Sequence, residues 1–365
     1  AALTAAEESI TLLKNNTTAN GVPLLPLGNQ PLFVFGSAAD DLNLLNGAWT
    51  NTWQGNDSQY SHNPLYPTIW EALVKNRATG EIEPRATKGL QYFAQALSSN
   101  TRTAKQLKTL KKSLTPNAVA IFCIGETPGT EIPGNIDDLA AEINAGDKQL
   151  FDFFVQNQVP VVLILATGRP RIITEYANKS TAVLQAYLPG NEGGTAIAKI
   201  IYGVTNPSGK LPYTYPRFAG DVVHYDHKST EKNDKLFGTN AYQPLFDFGS
   251  GLSYTQFGYT NLLVSPSKDQ GFQVSTTITN TGKVAGKEVC QLYYRDEYAS
   301  VTPSVKKLCA YLKTRLLQPG ESQTITFNIS REDLSFINKD LQRVTEPGDF
   351  TFMVKDQAVT VKVTD

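Results

Sequence analysis

The sequence predicts an α/β unit, a largely parallel sheet sandwiched by helices, followed by an all-β sandwich. Three observations carry this. Short, mostly apolar strand-like runs (Leu32-Phe-Val-Phe-Gly36, Ala118 to Ile124, Val159 to Ala166, Ala182 to Ala186) alternate with helix-patterned segments, and apolar runs are what strands buried on both faces need. After Asn206-Pro-Ser-Gly-Lys-Leu-Pro212 the texture becomes aperiodic, and from Phe257 the period is that of strands. A chain of 365 residues exceeds one core. The expected division is 1–212 for the α/β domain, 213–256 for an ordered linker and 257–365 for the sandwich.

In order, Leu3 to Lys14 reads as one amphipathic helix, with Leu3, Ile10 and Leu13 near one stripe, Glu7 and Glu8 opposite, and Thr4 in the N-cap position. Asn15 to Pro31 is turn-rich. Leu32 to Gly36 is a buried strand, and Ser37-Ala-Ala-Asp-Asp41 opens a helix, the beginning of an α/β unit. Further helices are expected over Thr68–Lys75, Tyr92–Leu97, Thr101–Leu114, Asp147–Gln156 (Leu150, Phe151 and Phe154 inward) and Thr195–Tyr202. The Val159–Ala166 strand runs into Thr167-Gly-Arg-Pro-Arg171, whose guanidinium groups are expected to pair with carboxylates or cap loop carbonyls rather than touch substrate.

In the last third, Gln273-Val-Ser-Thr-Thr-Ile-Thr279 alternates, Asn280-Thr-Gly-Lys283 turns, and Glu288 to Tyr294 alternates again. Lys307–Leu316, Gln323–Ile329 and the pair Gly348–Val354 and Ala358–Val363 bring the count to about seven strands in about 110 residues, the usual size of such a sandwich. No catalytic cluster is legible in it.

Net charge is −1, so nothing supplies the field that attracts phosphates, and a nucleic-acid partner is excluded. No apolar run approaches the roughly 18 residues of a membrane span. No metal or cofactor signature is present. Cys123 reads as a small core hydrophobe, while Cys290 and Cys309 are free to pair without forming a framework. His62 stands alone and His224 with His227 lacks a third ligand, so structural roles are assigned to them. The only methionine is Met353, and the opening Ala1-Ala-Leu-Thr4 reads as a processed or cut terminus without a signal-peptide pattern. Gly36-Ser-Ala-Ala39 at a helix start suggests a nucleotide site, but GxGxxG and a phosphate-loop lysine are missing.

Two stretches carry chemistry. In Ile121-Phe-Cys-Ile-Gly-Glu-Thr-Pro-Gly-Thr-Glu-Ile-Pro-Gly-Asn135 a buried strand breaks into a Gly- and Pro-rich loop holding Glu126 and Glu131. Chemistry in open α/β sheets collects past the carboxyl ends of strands, so these carboxylates are candidates; a solvated loop with two surface glutamates remains the other reading. Leu44-Leu-Asn-Gly-Ala-Trp-Thr-Asn-Thr-Trp-Gln-Gly55 puts Trp49 and Trp53, two of the three Trp, among amides and hydroxyls. That mixture suits sugars, whose C–H faces stack on aromatic rings while polar groups bond the hydroxyls; packing of Trp49 under a long loop is the alternative.

The chain resembles the C-terminal part of glycoside hydrolase family three, the β-glucosidases and related exo-acting β-glycosidases. The resemblance runs through Glu8-Ser-Ile-Thr-Leu-Leu-Lys-Asn15, Leu45 to Gly55, Gly125-Glu-Thr-Pro-Gly-Thr-Glu131 with Pro133-Gly-Asn135, and Gly168-Arg-Pro170. It continues in Leu188-Pro-Gly-Asn-Glu-Gly-Gly194, Asn206 to Pro212, Phe248-Gly-Ser-Gly-Leu-Ser-Tyr254, Asn280-Thr-Gly282 and Glu346-Pro-Gly348. It implies that the final sandwich is fibronectin type III-like. It also implies a partner: an N-terminal (β/α)8 barrel that supplies the nucleophilic Asp and needs roughly 250 residues, which these two modules leave no room for. On this resemblance Glu131 matches the acid/base, Glu126 and Asn135 support its loop, and Trp53, with Trp49 behind it, walls the leaving-group subsite. The implied activity is removal of terminal β-linked glucose from oligosaccharides or glucosides by a retaining enzyme, secreted or periplasmic. The competing class is a catalytically silent carbohydrate-binding or accessory module.

Overall fold

The computed structural model describes residues 1–365 apart from positions 19, 29, 76–96, 222–223, 227, 229–230, 232–234, 236–241, 268–270 and 365. The chain divides into two compact units. One comprises Ala1–Leu211, Tyr215–Val222 and Ser250–Tyr254; the other comprises Pro212–Thr214, Val223–Gly249 and Thr255–Asp365. The aperiodic stretch 213–256 therefore contributes to both.

The first unit is built on a five-stranded sheet of Thr11–Asn15 (β1), Leu32–Phe35 (β2), Val119–Gly125 (β3), Val161–Ala166 (β4) and Ala182–Gln185 (β5). Their order is β1-β5-β4-β3-β2. Strands β2 to β5 are parallel, with Phe35 opposite Phe122, Ile121 opposite Val162 and Leu163 opposite Val183. Every residue of β2 to β5 is buried, as their apolar sequence requires; the one polar residue, Gln185 at the end of β5, donates to the Thr167 carbonyl at 3.1 Å.

Alternate residues of these strands face two helical layers. Val34, Ile121, Cys123, Ile164 and Leu184 pack into one core with residues of the helices Ala2–Ser9, Ile69–Lys75 and Gly193–Ile201. A Cβ on Gly194 would lie 2.2 Å from the Pro67 carbonyl oxygen, so only glycine lets the last of these helices approach the start of Ile69–Lys75 so closely. On the opposite face Phe33 and Phe35 meet Phe154, and Phe122 meets Phe151 and Tyr176, at centroid distances of 5.1, 5.5, 5.6 and 5.9 Å. These partners belong to the helices Ala145–Gln156 and Thr174–Lys179. Each such aromatic pair contributes about 0.5–1.5 kcal/mol beyond the area it buries.

One element departs from its expectation. The helix over Leu3–Lys14 ends at Ser9, its N-cap is Ala1 rather than Thr4, and Ile10 (φ −56°, ψ 129°) turns the backbone into an extended run. Thr11, Leu12 and Leu13 are then all buried, and β1 pairs antiparallel with β5, Thr11 opposite Gln185. Two physical terms favour this: an open sheet edge is covered, and β-branched Ile10 and Thr11 prefer the extended form. The start at Ser37 is a single 3-10 turn, Ser37–Asp40, followed by the short helix Asn43–Asn46. The helix expected over Tyr92–Leu97 lies, but for Leu97, outside the described residues. The Thr101–Leu114 helix spans Ala104–Ser113 and opens with a capping box between Thr103 and Gln106.

The second unit is antiparallel throughout. Phe257–Pro266 (β6), Phe272–Asn280 (β7), Val289–Asp296 (β8), Lys307–Lys313 (β9), Ser322–Ile329 (β10), Phe336–Ile337 (β11), Arg343–Val344 (β12), Gly348–Val354 (β13) and Gln357–Val363 (β14) form its strands. Sheets ordered β10-β7-β6 and β14-β13-β8-β9 enclose a core that includes Val274, Ile278, Leu292, Phe327, Phe350 and Phe352. Buried Asn280 fastens the turn after β7. Its amide donates to the carbonyls of Val284 and Leu317, both at 2.8 Å, and its oxygen accepts from Thr255 Oγ1 and Gly282 N. Cys290 and Cys309 stay unpaired, as does buried Cys123. No helix among the described residues is long and apolar enough to cross a membrane.

Candidate active site

The parallel strands deliver their loops to one end of the sheet. Past β3 comes Glu126, which is 7% exposed. Its Oε2 accepts from the backbone N–H groups of Gly168 (3.1 Å) and Arg169 (3.2 Å), just past β4. Its Oε1 accepts from Arg169 Nε at 2.5 Å and lies 3.5 Å from Arg171 Nη1. A carboxylate this deep requires such charge-assisted partners. Arg169 also donates from Nη1 to the Gly134 carbonyl at 3.0 Å, so it both pairs with a carboxylate and caps a loop carbonyl. Arg171, 3% exposed, reaches onward to Glu142 Oε1 at 2.9 Å. Glu142 Oε2 in turn accepts from Thr127 N (3.1 Å) and Thr127 Oγ1 (2.5 Å). One chain of ion pairs thus ties the start of the loop, the β4 turn and the later segment around Glu142.

Glu131 is held differently. It precedes the 3-10 turn Ile132–Gly134 with φ 54° and ψ −145°, a conformation that L-residues rarely adopt. Its side chain is exposed and, among the described residues, makes no hydrogen bond or ion pair. Among the described residues seven non-glycine positions have positive φ, and Trp49 (63°), Glu131 (54°) and Tyr187 (58°) all lie in loops at this end of the sheet. Backbone strain gathered in one place is a recurrent mark of functional sites.

The tryptophan loop stands beside the Glu131 turn. Trp49 donates its indole N–H to Thr130 Oγ1 at 3.1 Å, and Gln54 Oε1 accepts the Thr130 N–H at 2.9 Å. Trp49 and Trp53 are 66% and 50% exposed, with ring centroids 6.3 Å apart and planes tilted by 52°. The loop is closed on itself because Gly55 (φ 77°) would place a Cβ 2.3 Å from the Gly47 carbonyl oxygen. Asn46 fixes it to the β5 side through Asn191 Oδ1 at 2.7 Å.

Of the residues singled out in the sequence, Glu126, Glu131, Trp49 and Trp53 meet in this assembly. Asn135 ends the turn through its own N–H, which donates to the Ile132 carbonyl at 3.1 Å; its side chain is exposed and makes no hydrogen bond among the described residues. Glu142, Gln54 and Thr130 were not singled out. Nothing local marks them, because their partners are fixed by loops from other strands. His62 Nε2 lies 3.5 Å from Asp40 and His224 Nε2 3.7 Å from Glu231, while His227 lies outside the described residues.

Comparison with known proteins matches residues 10–254 to the glycosyl hydrolase family 3 C-terminal domain and residues 288–358 to the fibronectin type III-like domain. The chain is 38% identical over 375 residues to a lysosomal beta glucosidase of Dictyostelium discoideum, covering 98% of this chain and 43% of that protein. It is 30% identical over 384 residues to a periplasmic beta-glucosidase of Salmonella typhimurium, covering 98% and 48%, and 32% identical to a beta-xylosidase of Formosa agariphila, covering 97% and 47%. A solved mutant beta-glucosidase of Listeria innocua in complex with laminaribiose superposes with a TM-score of 0.80 at 27% identity, over 100% of this chain and 49% of that one. The chain thus spans less than half the length of these relatives. With both of its domains matched by family models, the chain belongs to glycosyl hydrolase family 3 and carries that family's C-terminal domain followed by its fibronectin type III-like domain.

Proposed function

We propose that this chain supplies the general acid/base, Glu131, of a retaining exo-acting β-glucosidase whose nucleophile resides in a (β/α)8 barrel outside this sequence. The observation that carries the reading is the state of Glu131: a strained, exposed carboxylate with no partner among the described residues, on a loop past a parallel strand and beside two exposed tryptophans. In a retaining enzyme two carboxyl groups stand about 5–5.5 Å apart. The barrel's Asp would attack the anomeric carbon while Glu131 protonates the departing glycosidic oxygen. Glu131, now a carboxylate, then takes a proton from the water that cleaves the glycosyl-enzyme. An acid in this role requires burial and a neighbouring carboxylate to keep its proton at working pH, and the barrel would provide both.

Trp53 serves as the stacking wall for the leaving group, with Trp49 behind it, and Glu126 braces the loop, with Asn135 at its end. The substrate is a glucoside or oligosaccharide with terminal β-linked glucose, as the beta-glucosidase names of several relatives suggest; the beta-xylosidase relatives make xylosides the comparison substrate. A secreted or periplasmic setting agrees with the name of the Salmonella relative. In the enzyme that joins this chain to its barrel, Glu131→Gln is expected to lower kcat/KM on unactivated β-glucosides by about 10²–10⁴. The isolated chain is expected to turn over no aryl β-glucoside. Turnover by the isolated chain that vanishes in Glu131→Gln would contradict this, because it requires a nucleophile on these residues.

The exposure of both indoles also favours a second reading, a silent carbohydrate-binding module. Sugar binding by the isolated chain that Trp53→Ala removes and Glu131→Gln leaves intact, in a protein whose joined form lacks activity, would support that reading instead.

A further inference from the structure

The Glu131 side chain makes no hydrogen bond or ion pair among the described residues that would place it, so its position is set by the backbone of its turn and by its flanks. On one side Thr130 is held by Gln54 through its N–H (2.9 Å) and by the Trp49 indole through its hydroxyl (3.1 Å). On the other side the Gly134 carbonyl accepts from Arg169 Nη1 at 3.0 Å. Between these points the turn is closed across its base. Gly134 N donates to the carbonyls of Thr130 (3.1 Å) and Glu131 (3.0 Å), and a Cβ on Gly134 would lie 2.7 Å from the Gly129 carbonyl oxygen. Arg169 is itself anchored on buried Glu126, at 2.5 Å. A residue at positive φ persists only where its surroundings over-determine it; here the over-determination comes from two loops, each gripping one flank.

We propose that Arg169 and Gln54 are positioning residues that clamp the turn bearing Glu131 and so fix where its proton is delivered. This rests on the reading of Glu131 as the acid/base. A general acid works only within hydrogen-bond reach of its target, about 2.6–3.2 Å, and a misplacement of about 1 Å lowers the rate about 10²-fold. The clamp therefore matters in proportion to the need for protonation. A dinitrophenolate leaves unassisted, whereas an alkyl or sugar alkoxide needs the proton as its bond to the anomeric carbon breaks.

The test compares 2,4-dinitrophenyl β-glucoside with methyl β-glucoside or a β-linked glucose disaccharide, on the enzyme that joins this chain to its barrel. Glu131→Ala, Arg169→Ala and Gln54→Met are measured alongside the parent. Each variant is expected to lose at least about 10-fold more kcat/KM on the alkyl or disaccharide substrate than on the dinitrophenyl one. Gln54→Met leaves the Glu126 ion pairs intact and carries the test if Arg169→Ala does not fold. Discrimination in Glu131→Ala with equal losses on both substrates in the two clamp variants would overturn the clamp alone. Absence of discrimination in Glu131→Ala would overturn the acid/base reading, and the clamp with it.

Discussion

Two glutamates on one loop occupy opposite electrostatic situations. Glu126 is 7% exposed and satisfied by two backbone amides and two guanidinium groups, whereas the Glu131 carboxylate is exposed and bonded to nothing among the described residues. Stability and activity should therefore separate between them. Glu126→Ala strips buried Arg171 of one of its two carboxylate partners and is expected to cost about 3–5 kcal/mol, while Glu131→Gln changes stability by no more than about 0.5 kcal/mol. Urea denaturation of both variants checks this; equal losses would contradict it. Asp296 offers a pH test in the second unit. Among the described residues its Oδ2 is buried without a hydrogen-bond partner, and burial, its largest perturbation, raises its carboxyl above the ordinary range. A raised folded-state pKa means that the folded form holds the proton more tightly, so stability falls as pH rises from the unfolded value through the folded one. Asp296→Asn is accordingly expected to raise the melting temperature at pH 8, with the gain vanishing at acid pH below the ordinary Asp value. A gain that persists there would refute the burial argument.

At the scale of elements, β1 is the informative case. Leu12 is fully buried in the strand that closes the β5 edge, so Leu12→Ala is expected to destabilise the first unit by about 2–5 kcal/mol, read from the denaturant midpoint. A loss below about 1 kcal/mol would mean the strand does not carry part of the core. Most of the architecture was legible because strands buried on both faces announce themselves as apolar runs: β2 to β5 fell where Leu32 to Gly36, Ala118 to Ile124, Val159 to Ala166 and Ala182 to Ala186 placed them. The sequence around β1 misled because Ile10 and Leu13 stand at helical spacing, while the deciding term, the unpaired edge of β5, is set by residues some 170 positions later. The site was legible in the same uneven way. Glu126, Glu131, Trp49 and Trp53 were visible as unusual residue types in Gly-rich loops, but Glu142 and Gln54 owe their places to loops brought together only by the fold.

At the scale of the molecule, this chain carries two of the modules its family resemblance implies and spans less than half of its relatives' length. The isolated chain is thus expected to fold and yet to leave aryl β-glucosides untouched, a null result that gains meaning when the joined enzyme, assayed alongside, turns them over. The most direct measurement is azide rescue of Glu131→Ala in the enzyme that joins this chain to its barrel, with 2,4-dinitrophenyl β-glucoside as substrate. Removing the base that activates water stalls the glycosyl-enzyme, and azide needs no base to attack it. If Glu131 is the acid/base, azide accelerates turnover of the variant and the product is β-glucosyl azide. If azide has no effect on the variant, or the product is the α-anomer, Glu131 is not the acid/base of a retaining enzyme.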